Sequence, residues 1–246
     1  AHSMLSPYLN LGLLHPAEVA EAAEKADRAN KVPLQSAEGF IRQVIGWREY
    51  VWGVYWLWMP DYATGNALGA HRVLPPLFTR GESAMRCVAE SLTAVREHGY
   101  AHHIQRLMVL GNLALLSGVD PQQMVDWMSA SFVDAAEWVM MPNVLGMSLH
   151  ADGGRMATKP YAAGGNYINR MSDYCGDCRF DPKQRTGPDA CPLTTLYWHF
   201  LDTNREKLAG NHRMARQLRA AGRLRDIQQV RQKAIEVLSQ LDAGKL

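Results

Sequence analysis

The segment SAEGFIRQVIGWREYVWGVYWLWM, running from Ser36 to Met59 with Pro60 behind it, decides the fold class. Its apolar residues Phe40, Val44, Val51, Tyr55 and Trp58 recur at steps of three, four or seven, which stacks them on one face of an α-helix that proline then stops. The same reading extends in both directions. Pro16 to Asn30 predicts a helix with proline in its first turn and an Ala/Glu-rich body. Glu82 to Glu97 and Ala101 to Leu116 follow, parted by Gly99. Asp120-Pro121, an N-cap with proline at the first helical position, opens a helix expected to run to about Val139. Pro192 to Leu208 and Arg213 to Leu241 form a last pair. No alternating strand pattern and no internal repeat interrupts the series. The expected fold is all-α, a single helical domain over residues 1–246.

Composition narrows the function classes. A chain of 246 residues that is 47% hydrophobic and 20% charged is ordinary for a globular domain and excludes a disordered tail, a collagen repeat or a long coiled coil. The longest uncharged apolar stretch, Leu107 to Val119, falls short of the about 20 residues that cross a bilayer. No secretory leader is apparent, and the expectation is a cytoplasmic protein without a membrane partner. A net charge of +2 does not by itself make a nucleic-acid binder. The opening residues, Ala1 to Leu9, read like the interior of an ordered domain, so a preceding portion is expected.

The chain has four cysteines: Cys87, then Cys175, Cys178 and Cys191 within one short segment. Reducing compartments disfavour disulfides, and four thiolates saturate a metal site. The C-x-x-C turn Cys175-Gly176-Asp177-Cys178 lets two thiolates converge. Cys191-Pro192 returns from a loop, and Cys87 would come from a helix. Structural zinc and a [4Fe–4S] cluster both take such a set, and spacing alone leaves the two open. Just upstream, Pro142 to Tyr174 shows no sustained period and carries five glycines together with Asp152, Arg155, Lys159, Tyr161, Asn166, Tyr167 and Asn169. A structureless segment of that length is uncommon unless functional. The expectation is a long binding loop stapled by the cysteine site.

Other constellations carry chemistry more weakly. Arg42 and Arg48 sit in an aromatic helix, six apart and so facing different ways; a salt bridge to Glu38 or Glu49 is the ordinary explanation, a bound anion or planar ligand the sharper one. His103 and Arg106 are three apart and share a helix face. The adjacent His102 points about 100° away and should have another job. Trp127 and Asp134 are seven apart and expected on one face, where core packing and electron transfer by indole are both open. Between Arg205 and Lys233, nine Lys/Arg stand against Glu206 and Asp226. Arg213, Arg216, Arg219 and Arg223 make one stripe, either a solvated face or a phosphate-binding one.

Together these residues resemble the photolyase/cryptochrome family, and more narrowly its iron–sulfur branch of bacterial cryptochromes and prokaryotic (6-4) photolyases. His2-Ser3-Met4-Leu5-Ser6-Pro7-Tyr8-Leu9 is similar to the family's phosphate-binding Thr-Ser-x-Leu-Ser-Pro-Tyr-Leu. Trp47-Arg48-Glu49-Tyr50 resembles its Trp-Arg-Glu-Phe/Tyr helix, and Gly99 to Arg106 the helix that faces lesion and flavin. The cysteine spacing, with Asn166 to Tyr174 before it, is the most specific match and tips the metal to [4Fe–4S]. The resemblance implies an FAD-binding helical catalytic domain. It also implies an N-terminal α/β domain outside this chain that carries an antenna chromophore, a ribityllumazine; UV-damaged DNA as partner; and a monomer. By position, His2, Ser3, Leu5 and Ser6 would meet the FAD phosphates, Gln43 and Arg48 would line the flavin, and Asp134, paired to Arg106, would lie near the isoalloxazine. His103 would give a proton to a flipped-out (6-4) lesion, Tyr161 and Arg106 would shape the lesion pocket, and Trp127 would be the electron donor nearest the flavin.

Three positions depart from the family pattern. Thr79 stands where relatives have a tryptophan of the electron-transfer chain, Met128 where a tyrosine often follows Trp127, and Met140 where a carboxylate faces flavin N5. The expected function is light-dependent repair of (6-4) photoproducts. The alternatives are a non-repairing cryptochrome that senses blue light through its flavin and regulates genes, and a zinc-stapled nucleic-acid-binding module without a flavin.

Overall fold

The computed structural model describes residues 3–246. In chain order the α-helices are α1 (Ser6–Asn10), α2 (Pro16–Arg28), α3 (Leu34–Ile41), α4 (Arg48–Trp58), α5 (Leu77–Arg80), α6 (Arg86–His98), α7 (Asn112–Ser117), α8 (Pro121–Ser131), α9 (Glu137–Met141), α10 (Gly165–Met171), α11 (Pro192–Thr203), α12 (Arg205–Leu208), α13 (Ala215–Gly222) and α14 (Ile227–Asp242). Among the described residues extended pairing is limited to two isolated bridges, Arg72 with Val119 and Asp181 with Ala190. The all-α expectation holds.

The longest apolar run is the centre of the molecule. Gln105–Gly111 winds as a π-helix and passes directly into α7, and every residue from Leu107 to Ser117 is buried. A helix apolar on all sides must be enclosed on all sides. Here α6 packs along its π-helical half and α11 along α7, while α14 and α13 cover α11 from outside. Gly118, with φ +72°, ends α7 in the left-handed conformation that glycine adopts without steric cost.

Two further π-helical segments occur, Arg42–Trp47 between α3 and α4, and Pro142–Ser148 after α9. A π-turn holds one extra residue within a helix and is found disproportionately at functional sites. The expected Ser36 to Met59 helix is thus real but begins at Leu34 and is re-phased in its middle.

Helix α6 begins at Arg86 rather than Glu82, and the expected Pro192 to Leu208 helix breaks at Asn204 into α11 and α12; three further differences matter more. The helix opened by Asp120, whose carboxylate caps Gln122 and Gln123, stops at Ser131 rather than near Val139. Phe132 turns extended, and the Val133 N–H donates 2.8 Å to the Gly99 carbonyl; a tertiary hydrogen bond has replaced the helical one. Trp127 and Asp134 therefore do not share a helix face. The Pro142 to Tyr174 segment is not structureless, because the π-helix and α10 interrupt it and only residues 149–164 and 172–174 are irregular. The basic stretch at the end of the chain is broken between α13 and α14, so Arg216 and Arg219 lie on α13 while Arg213 and Arg223 flank it.

Candidate functional site

A pocket of about 230 Å³ opens where α1, the start of the π-helix Gln105–Gly111, and the Pro142–Ser148 turn meet. Its polar centre is Asp134, freed from a helix by the stop at Ser131. The buried Asp134 carboxylate accepts from both terminal nitrogens of Arg106 at 2.8 and 3.1 Å and from Ser6 Oγ at 2.7 Å. Asn10 Nδ2 donates to the Asp134 carbonyl at 2.8 Å. Arg106 Nε donates to the Ala101 carbonyl at 2.7 Å, and the guanidinium lies 4.6 Å from the Tyr100 ring centroid and 4.1 Å from that of Phe132. A planar guanidinium suits such a bidentate, stacked site, where lysine would lose both the fork and the stacking.

The remaining wall is mostly apolar, Leu107, Met128, Val139, Met140, Val144 and Met147, with Asn143 among them, whose Nδ2 donates to the Val139 carbonyl at 2.8 Å. Two polar groups there are unengaged. Ser148 Oγ, on a residue only 4% exposed, is buried without a hydrogen-bond partner. A Cβ on Gly111 would come within 2.0 Å of that oxygen, so only glycine leaves room for it. His103 lies on the same wall, exposed at the pocket mouth yet with its ring crowded by protein. Desolvation, then the Arg106 and His102 charges, lower its pKa below the ordinary imidazole value.

The neighbouring histidine does have another job. His102 Nδ1 accepts the Ile104 N–H at 3.1 Å, and Gln105 Oε1 accepts the His102 N–H at 2.9 Å. This is a capping box with histidine in place of serine or threonine.

Arg42 pairs with Glu38 at the surface, the ordinary one of its two explanations. Several other residues are placed differently from expectation. Arg48 pairs with neither glutamate; it donates to Asn10 Oδ1 and the Leu9 carbonyl at 3.2 and 3.3 Å and lies 4.7 Å over Trp138. Arg48 thus supports the pocket through Asn10 rather than lining it. Gln43 is exposed, and neither it nor Tyr161 lines the pocket. Tyr161 packs half-buried against the core. Met128, not Trp127, forms the wall. Trp127 stands behind Phe132 at 6.0 Å between centroids and donates 2.9 Å to the Phe78 carbonyl, next to Thr79. Ser3 and Leu5 lie at the start of α1, with the Tyr100 hydroxyl 3.4 Å from the Ser3 carbonyl. His2 lies outside the described residues.

The four cysteines do converge. Cys87 on α6, Cys175, Cys178 and Cys191 line one small apolar enclosure with Met85, Ile168, Tyr174, Phe180 and Leu193, and none is in a disulfide. Burial raises the thiol pKa at Cys87, at Cys191 and at Cys175, the last to about 11. Gly165 at the start of α10 is required here, because a Cβ would stand 2.7 Å from Cys191 Sγ and 3.0 Å from Thr194 Oγ1. Arg86, next to Cys87, pairs with Asp177 of the C-x-x-C turn. Among the described residues no three His, Cys, Asp or Glu side chains close around a point for one ion.

Across residues 205–233, Arg231 and Lys233 are paired, with Asp202 and Glu236. Arg213, Arg216, Arg219, Arg223 and Arg225 are exposed and in no ion pair among the described residues. No helix is long and apolar enough to cross a membrane among the described residues.

No family model matches the chain. It is, however, 52% identical over 243 residues, 98% of its own length, to a (6-4) photolyase of Agrobacterium fabrum. The chain belongs to the photolyase/cryptochrome family. It spans about half of that relative, 48% of its length. Weaker matches join this photolyase-family chain to two uncharacterized proteins of Acanthamoeba polyphaga mimivirus, R855 at 32% identity and R853 at 29%. They cover 42% and 40% of this chain, and 76% and 75% of the viral proteins.

The residues fit the cofactors that the family resemblance implies. The pocket is smaller than the about 300–1,000 Å³ of a complete small-molecule site, so it accommodates part of a ligand. Thioethers and aliphatic side chains suit a flat ring system, and the unpartnered Ser148 hydroxyl has a polar ring edge to meet. The four free thiols facing one enclosure fit a multi-iron cluster, in which separate irons take separate thiolates, better than one tetrahedral zinc with all sulfurs about 2.3 Å away.

Proposed function

We propose that this chain is the flavin-binding catalytic part of a light-driven DNA-repair enzyme for (6-4) photoproducts, with a [4Fe–4S] cluster in its four-thiol enclosure. The observation that carries the reading is the joint placement of His103, Arg106 and Asp134 around one apolar-walled pocket, in a chain 52% identical to a (6-4) photolyase. Reduced FAD held beside Met140, Asp134 and Ser148 would supply one electron to the lesion on excitation and take it back after rearrangement.

The chain's own residues do the rest. Asp134 fixes Arg106, so the guanidinium keeps its position when a charged substrate arrives. The apolar wall excludes water, which strengthens every polar contact within. His103, without a hydrogen-bond partner of its own among the described residues, is the group able to hand a proton to a lesion at the mouth. The lesion would be flipped out of a duplex that already stacks it poorly. Exposed Arg213, Arg216, Arg219, Arg223 and Arg225 supply cations for DNA phosphates. The α/β half with its ribityllumazine antenna, placed N-terminal to this chain, completes the proposal.

The test is light-dependent repair of an oligonucleotide carrying one (6-4) lesion by the full-length flavoprotein. His103→Ala should lose repair by at least about a hundredfold, the lower range of general acid catalysis, while flavin photoreduction persists; undiminished repair removes the proton-donor role. A second reading, a non-repairing blue-light photoreceptor, draws on Thr79, Met128 and Met140. Two thioethers line the pocket, and Thr79 stands beside Trp127. Wild-type protein with flavin photoreduction but no repair would select it.

A further inference from the structure

Gln105 occupies a position between the two sites. It closes the capping box that starts the His103-bearing helix, three residues after His102, and its Oε1 accepts the His102 N–H at 2.9 Å. The other end of the same amide, Nε2, donates to the Tyr174 hydroxyl at 2.9 Å. Tyr174 precedes Cys175 and lines the four-thiol enclosure with all four cysteines. The amide orientation is forced, since a flipped Gln105 would set an N–H₂ against the His102 N–H. Resting on the functional reading above, we propose that Gln105 is a positioning residue that joins the four-thiol enclosure to His103 through the Tyr174 hydroxyl.

The connection is short and directional. Tyr174 can move only if the enclosure wall moves. Its hydroxyl holds one end of the Gln105 side chain, and the other end holds the backbone of the residue before His103. Helix α6, which brings Cys87, packs along the same π-helix that Gln105 begins, so the enclosure braces this helix from two sides. Filling the enclosure with a cluster would thereby fix the first turn of the helix and, with it, the imidazole at the pocket mouth. The cysteine site then acts on lesion chemistry by placement, with no electron passing through it.

Three variants of the full-length flavoprotein test this. Gln105→Met keeps length but loses both bonds; Tyr174→Phe keeps the ring but loses the hydroxyl; Gln105→Glu keeps both contacts, because a carboxylate accepts from the His102 N–H and from the tyrosine O–H. The first readout is the His103 imidazole resonance by NMR, which requires no repair activity. It should move in Gln105→Met and Tyr174→Phe, move no further in the double variant, and return to the wild-type position in Gln105→Glu. The second is repair per absorbed photon, expected to fall about fivefold in each single variant, the factor one neutral hydrogen bond is worth, with iron content, flavin absorbance and DNA affinity unchanged. An unmoved His103 resonance in both single variants, or losses that multiply in the double, overturns the connection. Resonances that move as expected in a wild-type protein lacking repair would instead overturn the functional reading and leave the connection standing.

Discussion

The pocket and the four-thiol enclosure meet the same problem, polar groups in a dry interior, in opposite ways. Around Asp134 nearly every polar atom is satisfied by another: carboxylate by Arg106 and Ser6, backbone carbonyl by Asn10, guanidinium by the Ala101 carbonyl and two aromatic faces. That site is organised before any ligand arrives. Around Cys87 and Cys191 the wall is apolar, and the sulfurs are met only by local groups, the Val88 backbone at Cys87 and the Leu193 and Thr194 backbone with the Thr194 side chain at Cys191; burial, and mutual repulsion at Cys87, Cys175 and Cys191, outweigh these and disfavour the thiolates a metal needs. A metal reverses that balance by binding the deprotonated form. On the proposed reading, one region receives a guest unchanged and the other is completed by one.

Asp134→Ala should produce the largest effect. It leaves Arg106 buried with no counter-charge, which costs about 3–5 kcal/mol, read as a shift in denaturation midpoint at unchanged iron content. A smaller loss in an Arg106→Leu, Asp134→Leu double variant would confirm that the uncompensated charge, not the missing volume, carries the cost.

Gly165→Ala probes the other region. The added methyl presses on Cys191 Sγ and Thr194, and overpacking of this kind costs roughly 1–3 kcal/mol. Iron content should fall while flavin binding stays at the wild-type level. If flavin falls and iron holds, the two regions are not separable in the way described. Ser148→Ala should be smaller still: stability unchanged or slightly raised, because an unpartnered hydroxyl is removed, with flavin affinity down about fivefold. A lowered stability would mean that the hydroxyl serves the fold.

The gentlest probe is pH. Burial and neighbouring cations hold the His103 pKa below the ordinary value of about 6.5. The protonated donor is therefore present at low pH and is lost as pH rises through that lowered value. An NMR titration of the full-length protein should place the His103 midpoint below that ordinary value. The sign for stability is the reverse of a salt-bridged histidine: the unfolded chain binds the proton more tightly, so this group's contribution to stability rises with pH across the interval between the two pKa values.

Much of this was legible beforehand, for definite reasons. Helical spacing and the Asp120-Pro121 start are local signals, and the folded chain uses them locally. The cysteine spacing likewise brings the four side chains to one enclosure. His103 and Arg106 share a wall because i to i+3 geometry survives at the start of a helix. The end of α8 was not legible: Phe132, Val133 and Asp134 hold no glycine or proline, and the stop comes from the Gly99 carbonyl and from Arg106, both distant in sequence. The π-turns were equally hidden, since an added residue leaves the apolar pattern only slightly out of phase. Ser148 gave no signal, because nothing around a lone serine in sequence tells that its oxygen will be buried and unpartnered. The His102 capping box could have been read, as Gln105 stands three residues after it, but histidine is not the usual cap.

The three π-turns carry a consequence for how this chain tolerates change in length. Each residue of an α-helix turns by about 100°, so a one-residue deletion within a regular helix such as α14 would re-aim everything beyond it. Within Gln105–Gly111 the same deletion removes the residue that the π-turn holds in excess, and the segment closes to an ordinary α-helix with Arg106 and Leu113 still facing their present neighbours. The π-turns are therefore the places where this chain absorbs a change in length at the smallest cost to what lies on either side.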